Sequence, residues 1–205
     1  MKITLYTTII FFTVGMIANT NSFSQDKSET AEAVFAGGCF WCMESDFEKI
    51  DGVKDVISGY INGTGENPTY RDYADRGFIE VVLVKFDAAK ISYNDLLTYY
   101  WRHVDPTDAG GQFCDRGHAY TTGIFYLSDE QKKSAAKSKE ALEKSGVLQA
   151  PIVTPITVAG KFYPAEDYHQ NYYKKNPLKY KFYRYRCGRD KRIEEVWVKE
   201  EGGID

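Results

Sequence analysis

The chain has 205 residues, 43% hydrophobic and 27% charged, with a formal net charge of −3. That is long enough for one domain with a sizeable core and too apolar for global disorder. Mild acidity gives no electrostatic reason to expect a nucleic acid as partner, and 16 Tyr and 12 Phe suit a pocket that is apolar and hydrogen-bonding at once.

Lys2, an apolar run over residues 3–18 and small polar residues up to Ser22-Phe23-Ser24 form a secretory signal pattern. Residues 1–24 are therefore expected to be a cleaved leader, with a membrane anchor as the alternative reading. No Cys stands near the cleavage region, so a lipid anchor is not indicated. The expected product is exported, periplasmic or secreted. Residues 25–32 read as a flexible arm, 33–198 as one folded domain and 199–205 as a tail.

Ala33 to Ala36 reads as a buried strand, stopped by Gly37-Gly38. Phe40, Met43, Phe47 and Ile50 then repeat with helical spacing up to Gly52, which places Cys39 where a strand turns into a helix. Residues 59–68 read as a loop. Phe78 to Phe86 is apolar on both faces and is expected to be a central strand. Ser92 with Asp95, and Ser128 with Gln131, read as N-terminal caps of two helices, the second stopping at Gly146. Residues 105–117 form a long loop, Ile124 to Leu127 and Val153 to Val158 read as strands, and Ala165 to Lys174 as a Tyr-rich helix. Strands and helices interleave without a βαβ rhythm. The expected fold is α+β: a single two-layer sandwich with a mixed, mainly antiparallel sheet and a long irregular C-terminal segment.

Four cysteines remain in the body: Cys39, Cys42, Cys114 and Cys187. A thiol reacts as its thiolate, which a helix N-terminus favours. Two glycines before Cys39 and the aromatic pair Phe40 and Trp41 after it suit a nucleophile in an apolar pocket. Cys42 lies one helical turn on, close enough for a local disulfide. A zinc site needs further ligands, and His103, His118 and His169 have no ligand-pair spacing; no metal and no cofactor are expected. Glu80 shares a strand face with Phe78, Val82, Val84 and Phe86. Burial there favours the neutral acid, which can donate a proton.

The run Gly38-Cys39-Phe40-Trp41-Cys42 resembles the signature of the peptide methionine sulfoxide reductase A family. So do Asn67-Pro68-Thr69-Tyr70, the acid Glu80, Asp105-Pro106-Thr107, the stretch Gln112, Asp115, Gly117 and Tyr120, the block from Pro164 to Gln170, and Lys175-Asn176-Pro177. The likeness spans Ala33 to Trp197. Departures are Cys42 in place of a common Gly, Phe78-Ile79 in place of His-Ala, and Thr121 in place of Arg.

The resemblance implies a ferredoxin-like fold and reduction of the S epimer of methionine sulfoxide, free or in proteins. In that reading Cys39 is the nucleophile, Phe40 and Trp41 hold the methyl group, and Glu80, Tyr70 and Tyr120 bind the oxygen, with Asp115 beside them. A sulfenic acid on Cys39 then condenses with a second thiol. Cys187, among Arg residues near the C-terminus, is slightly favoured over Cys42, and Cys114 is third. Thioredoxin, or an exported relative of it, is the expected reductant, and the protein is expected to be monomeric. The alternatives are a thioredoxin-like disulfide oxidoreductase built on Cys39 and Cys42, a binding domain stapled by Cys39–Cys42 and Cys114–Cys187, and nucleic-acid binding through the seven basic residues between Lys179 and Arg192.

Overall fold

The computed structural model describes residues 30–197. The leader expected over residues 1–24, most of the arm and the tail lie outside the described residues. In chain order the elements are β1 (Thr30–Gly37), α1 (Phe40–Phe47), β2 (Val53–Ile61), β3 (Ile79–Asp87), α2 (Tyr93–Arg102), β4 (Gly111–Gln112), β5 (Asp115–Arg116), a 3-10 turn (His118–Tyr120), β6 (Thr122–Tyr126), α3 (Asp129–Ser145), β7 (Ile156–Val158), β8 (Tyr163–Pro164), α4 (Tyr172–Lys175), α5 (Pro177–Cys187) and α6 (Arg189–Trp197).

Six strands form one sheet in the order β7-β6-β1-β3-β2-β8. Every pairing is antiparallel except β6 with β7. Side chains alternate across it, as strand geometry requires. One face carries Phe35, Val82, Val84 and Phe86, packed under Phe40 and Phe47 of α1 and Leu96, Leu97 and Tyr100 of α2. The other carries Val34, Ala36, Ile79, Val81 and Phe125, with Ala159 and Phe162 packed against it. The expected mixed, mainly antiparallel α+β sandwich is what the chain forms. Glu80 points to the helix-covered face, as alternation along β3 requires.

Five local expectations change. Thr30 to Glu32 belong to β1 and not to an arm, because they pair with Lys85, Phe86 and Asp87. The loop expected from Gly59 begins only at Asn62, since Gly59 is inside β2 opposite Val81 and Pro164. A Cβ at Gly59 would stand 2.4 Å from the Phe162 ring, so this glycine marks close packing in a strand, not a turn.

The strand expected over Val153 to Val158 shortens to Ile156–Val158. The helix expected over Ala165 to Lys174 is a series of turns ending in the four-residue α4. Asn171, at φ 55°, interrupts it, and the side chains of Glu166, His169 and Gln170 are committed to tertiary hydrogen bonds described below. The irregular C-terminal segment is helical. Pro177 opens α5 and Gly188, at φ 69°, closes it. Those two residues act as helix punctuation and not as helix breakers.

Candidate active site

Gly38 turns β1 into α1 at φ 81°, and a Cβ there would stand 2.6 Å from Gln112 Cβ. The turn thus needs a residue with no side chain. Cys39 is the N-cap of α1 and makes no side-chain capping bond. The first amide of the helix, that of Phe40, instead donates to Glu80 Oε2 at 2.9 Å. Tyr73 Oη is hydrogen-bonded to Glu80 Oε1 at 2.7 Å and to Tyr120 Oη at 3.0 Å. Glu80 is 2% exposed. Burial pushes its carboxyl up to about 8, against the pull of those two donors, so at neutral pH it is mainly the neutral acid.

Cys39, Phe40, Trp41, Tyr70, Glu80, Asp115, Tyr120 and Tyr183 line one cavity of about 60 Å³, small enough for the head of one side chain. Every catalytic and pocket residue expected from the sequence, apart from the candidate resolving thiols, lines it. The floor is aromatic. Phe40 packs on His169 and Tyr60. Trp41 stacks on Tyr172 with ring centres 3.8 Å apart and donates its Nε1 to His169 Nδ1 at 3.1 Å.

The turns between Ala165 and α4 hold these parts in place. Glu166 accepts from the Tyr70 amide at 2.9 Å and from Tyr60 Oη at 3.0 Å. Gln170 bonds both backbone groups of Ser58 in β2. Tyr70 is 41% exposed and stands at the cavity mouth over His169 and Tyr73.

The thiols divide into two pairs. Cys114 and Cys187 form a disulfide, while Cys39 and Cys42 are free and buried. Cys187, the slightly favoured resolving residue, is thus tied to Cys114 with its sulfur 3.7 Å from Asp115 Oδ2. Cys42 is hydrogen-bonded to Cys39. Burial pushes the Cys39 thiol well above the ordinary cysteine range, and Cys42 adds to the rise through both that bond and its charge. Cys42 is lowered, first by the Cys39 bond and then by the charges of Arg189 and Arg184. Of the two thiols, Cys39 holds its proton the more firmly and Cys42 ionises the more readily. A helix N-terminus alone does not ionise Cys39, so the nucleophile forms only when its proton is passed on.

Asp115 accepts from Tyr183 Oη at 2.5 Å, and burial raises its carboxyl. The Tyr183 hydroxyl also reaches Cys39, and its one proton, when turned from Asp115 to that sulfur, favours the thiolate. Sequence reading missed Tyr73 and Tyr183. Tyr73 stands three residues past Tyr70 in a tight turn, and Tyr183 lies in α5, which was expected to be irregular; neither carried a signal separable from the other tyrosines. The basic run between Lys179 and Arg192 is partly spent inward. Arg184 pairs with Asp46 and Asp190, Arg192 pairs with Asp105, and Arg189 is 1% exposed.

A buried thiol pair facing a neutral acid across an aromatic cavity defines a thiol-based oxidoreductase. The family model for peptide methionine sulfoxide reductase matches residues 31–201. A peptide methionine sulfoxide reductase, MsrA 2, of Rhizobium meliloti is 51% identical over 170 residues, covering 83% of this chain and 85% of that protein. The reduced form of Mxr1 from Saccharomyces cerevisiae superposes with a TM-score of 0.68 at 33% identity, covering 74% of this chain and 88% of that one. Mxr1 in complex with Trx2 superposes with a TM-score of 0.51 at 27% identity over 74% of this chain and 91% of that one. The chain belongs to the peptide methionine sulfoxide reductase A family. It reduces methionine sulfoxide in a thiol-dependent reaction.

Proposed function

We propose that Cys39 attacks the sulfoxide sulfur, that the Glu80 proton goes to its oxygen and that Cys42 resolves the product. The carrying observation is the hydrogen-bonded pair Cys39–Cys42 beside the buried acid. The substrate methyl group lies against Phe40 and Trp41, and its oxygen faces Glu80, Tyr120 and Tyr70, whose dipoles stabilise the charge that grows there. As Cys39 attacks, its proton passes to the Cys42 thiolate. The S–O bond of the sulfoxide and the transient bond between the two sulfurs then break as the oxygen passes to Cys39, so methionine leaves and Cys39 is left as a sulfenic acid. The Cys42 thiol then displaces that oxygen as water, forming the Cys39–Cys42 disulfide. A dithiol protein supplies the two electrons that reopen it. A thioredoxin is the reductant favoured here, in keeping with the Trx2 complex of Mxr1.

With a peptide carrying racemic methionine sulfoxide, the S epimer alone is consumed, and Cys39→Ser consumes neither; residual activity in that variant would overturn the assignment. Cys42→Ser releases one methionine per enzyme and then stops when thioredoxin is the reductant. The Cys114→Ser/Cys187→Ser double variant keeps turning over. Quenched-flow counting of methionine separates the two, and the opposite pattern returns the resolving role to Cys187.

Export is part of the same reading. It is supported by the signal pattern over residues 1–24 and by the Cys114–Cys187 disulfide, a bond that persists in oxidising compartments. The protein then acts as a monomeric repair enzyme for oxidised proteins outside the cytoplasm. N-terminal sequencing of protein from cell fractions tests this, and an intact Met1 on cytoplasmic material excludes it.

A further inference from the structure

Tyr73 has no part in the reading above, yet its hydroxyl is the one side-chain group hydrogen-bonded to Glu80 among the described residues. It is 3% exposed and does not line the cavity. It is held firmly. Its ring stacks on Tyr60 with centres 4.7 Å apart. Its turn is closed by the Tyr73 and Phe78 amides, and by Thr69 and Arg76 bonding to Asp72.

The two Glu80 oxygens are not equivalent. Oε2 accepts the Phe40 amide, and an amide cannot accept a proton in return. The carbonyl oxygen is the better acceptor of a neutral acid, which favours Oε2 as the carbonyl and Oε1, 2.7 Å from Tyr73 Oη, as the hydroxyl. A tyrosine hydroxyl both accepts and donates, so Tyr73 takes the acid proton and offers its own to Tyr120 Oη at 3.0 Å. Tyr120 lines the cavity and has its own proton left for a substrate oxygen.

We propose that Tyr73 is a positioning residue that relays the proton from Glu80 to Tyr120, the group that hands a proton to the sulfoxide oxygen. Three O–H bonds break and three form in one shift: Tyr120 to substrate, Tyr73 to Tyr120, Glu80 to Tyr73. Glu80 ends as a carboxylate accepting from the Phe40 amide and from Tyr73, which is the other hydrogen-bond pattern these atoms allow. No external reagent enters this shift, and the reverse path restores the Glu80 proton from solvent.

This inference rests on Cys39 as nucleophile and Glu80 as acid. The test is single-turnover methionine formation by the full chain, which isolates the step before recycling. Tyr73→Phe keeps the stacked ring and loses the hydroxyl. It is expected to lower the rate by roughly 10²-fold or more, the scale of general acid catalysis, with sulfoxide affinity unchanged because Tyr73 touches no substrate. The proton inventory of the wild type, measured in mixtures of light and heavy water, is expected to be curved, since several protons move together. That reading needs no variant to fold.

A full rate in Tyr73→Phe below pH 8, with only the alkaline limb of its pH profile displaced, means that Glu80 donates directly and sinks the relay. So does a straight inventory in the wild type. Full activity in Glu80→Gln instead sinks the underlying acid assignment, which separates the two failures.

Discussion

Glu80 is neutral because β3 carries it into the helix-covered core, and the same burial makes it a liability to the fold. Its folded pKa, about 8, lies above the ordinary 4.5, so between those values the folded state holds a proton that the unfolded state has lost. Stability is therefore greatest below the unfolded value and falls as pH rises through the folded one. Glu80→Gln keeps an acceptor for the Phe40 amide but cannot ionise. Thermal melts from pH 5 to pH 9 should show the wild type losing more stability than this variant, while single-turnover rates drop by about 10²–10⁴-fold in the variant. Parallel melting curves would show that Glu80 ionises in the fold as readily as in the unfolded chain.

The thiol pair gives a second prediction at this scale. Cys42 raises the Cys39 pKa by hydrogen bond and by charge, so Cys42→Ala should let Cys39 ionise at a lower pH. The pH dependence of Cys39 alkylation by iodoacetamide reads this directly. An unchanged midpoint, or one moved upward, would contradict the shared proton.

Among the elements, α1 and α2 contrast at their N-termini. Ser92 and Asp95 close a full capping box on α2, as sequence reading expected. Ser128 caps α3 by accepting from the Gln131 amide, but Gln131 Oε1 accepts from Leu127, so that box is only half formed. The α1 helix has no side-chain cap. A serine or aspartate in place of Cys39 would satisfy its amides better, but the position is given to the nucleophile, and Glu80 takes the Phe40 amide from across the fold. Ser92→Ala should cost about 1 kcal/mol of stability, visible as a lowered melting temperature. It should leave single-turnover activity intact, since no residue of α2 lines the cavity. A loss of activity at full stability would mean that α2 does more than support the sheet. Tyr100 of α2 is the clearest support, donating to Ala36 O at 2.8 Å and accepting from the Gly123 amide at 3.1 Å, which bridges β1 and β6 beside the active-site turn.

Across the whole molecule, the C-terminal helices are fastened to the catalytic turn. Arg189 donates to Gly37 O and His103 O, and Arg184 to Asp46 of α1. The Cys114–Cys187 disulfide joins positions 73 residues apart and holds α5 against the loop that carries Asp115. Closing so long a loop restricts the unfolded chain, and its loss should cost about 2–5 kcal/mol. Cys114→Ser/Cys187→Ser should thus unfold at markedly lower denaturant concentration than wild type, even though it turns over. Equal midpoints for the two proteins would show that the bond adds nothing to stability.

The fold class and most of the site were legible in the chain because they rest on local signals. Alternation along β3 put Glu80 on a buried face, the diglycine and helical spacing put Cys39 at a helix start, and Ser92 and Gly146 marked helix ends. Tertiary structure decided the rest. Gly59 read as part of a loop until packing against Phe162 placed it inside a strand, and the C-terminal segment read as irregular although Gly188 caps a helix there. No spacing reveals that Cys187 meets Cys114 and leaves Cys42 facing Cys39, or that Tyr73, and not another of the tyrosines, touches Glu80. Pairings between distant residues depend on how the layers stack, and local periodicity carries no record of that.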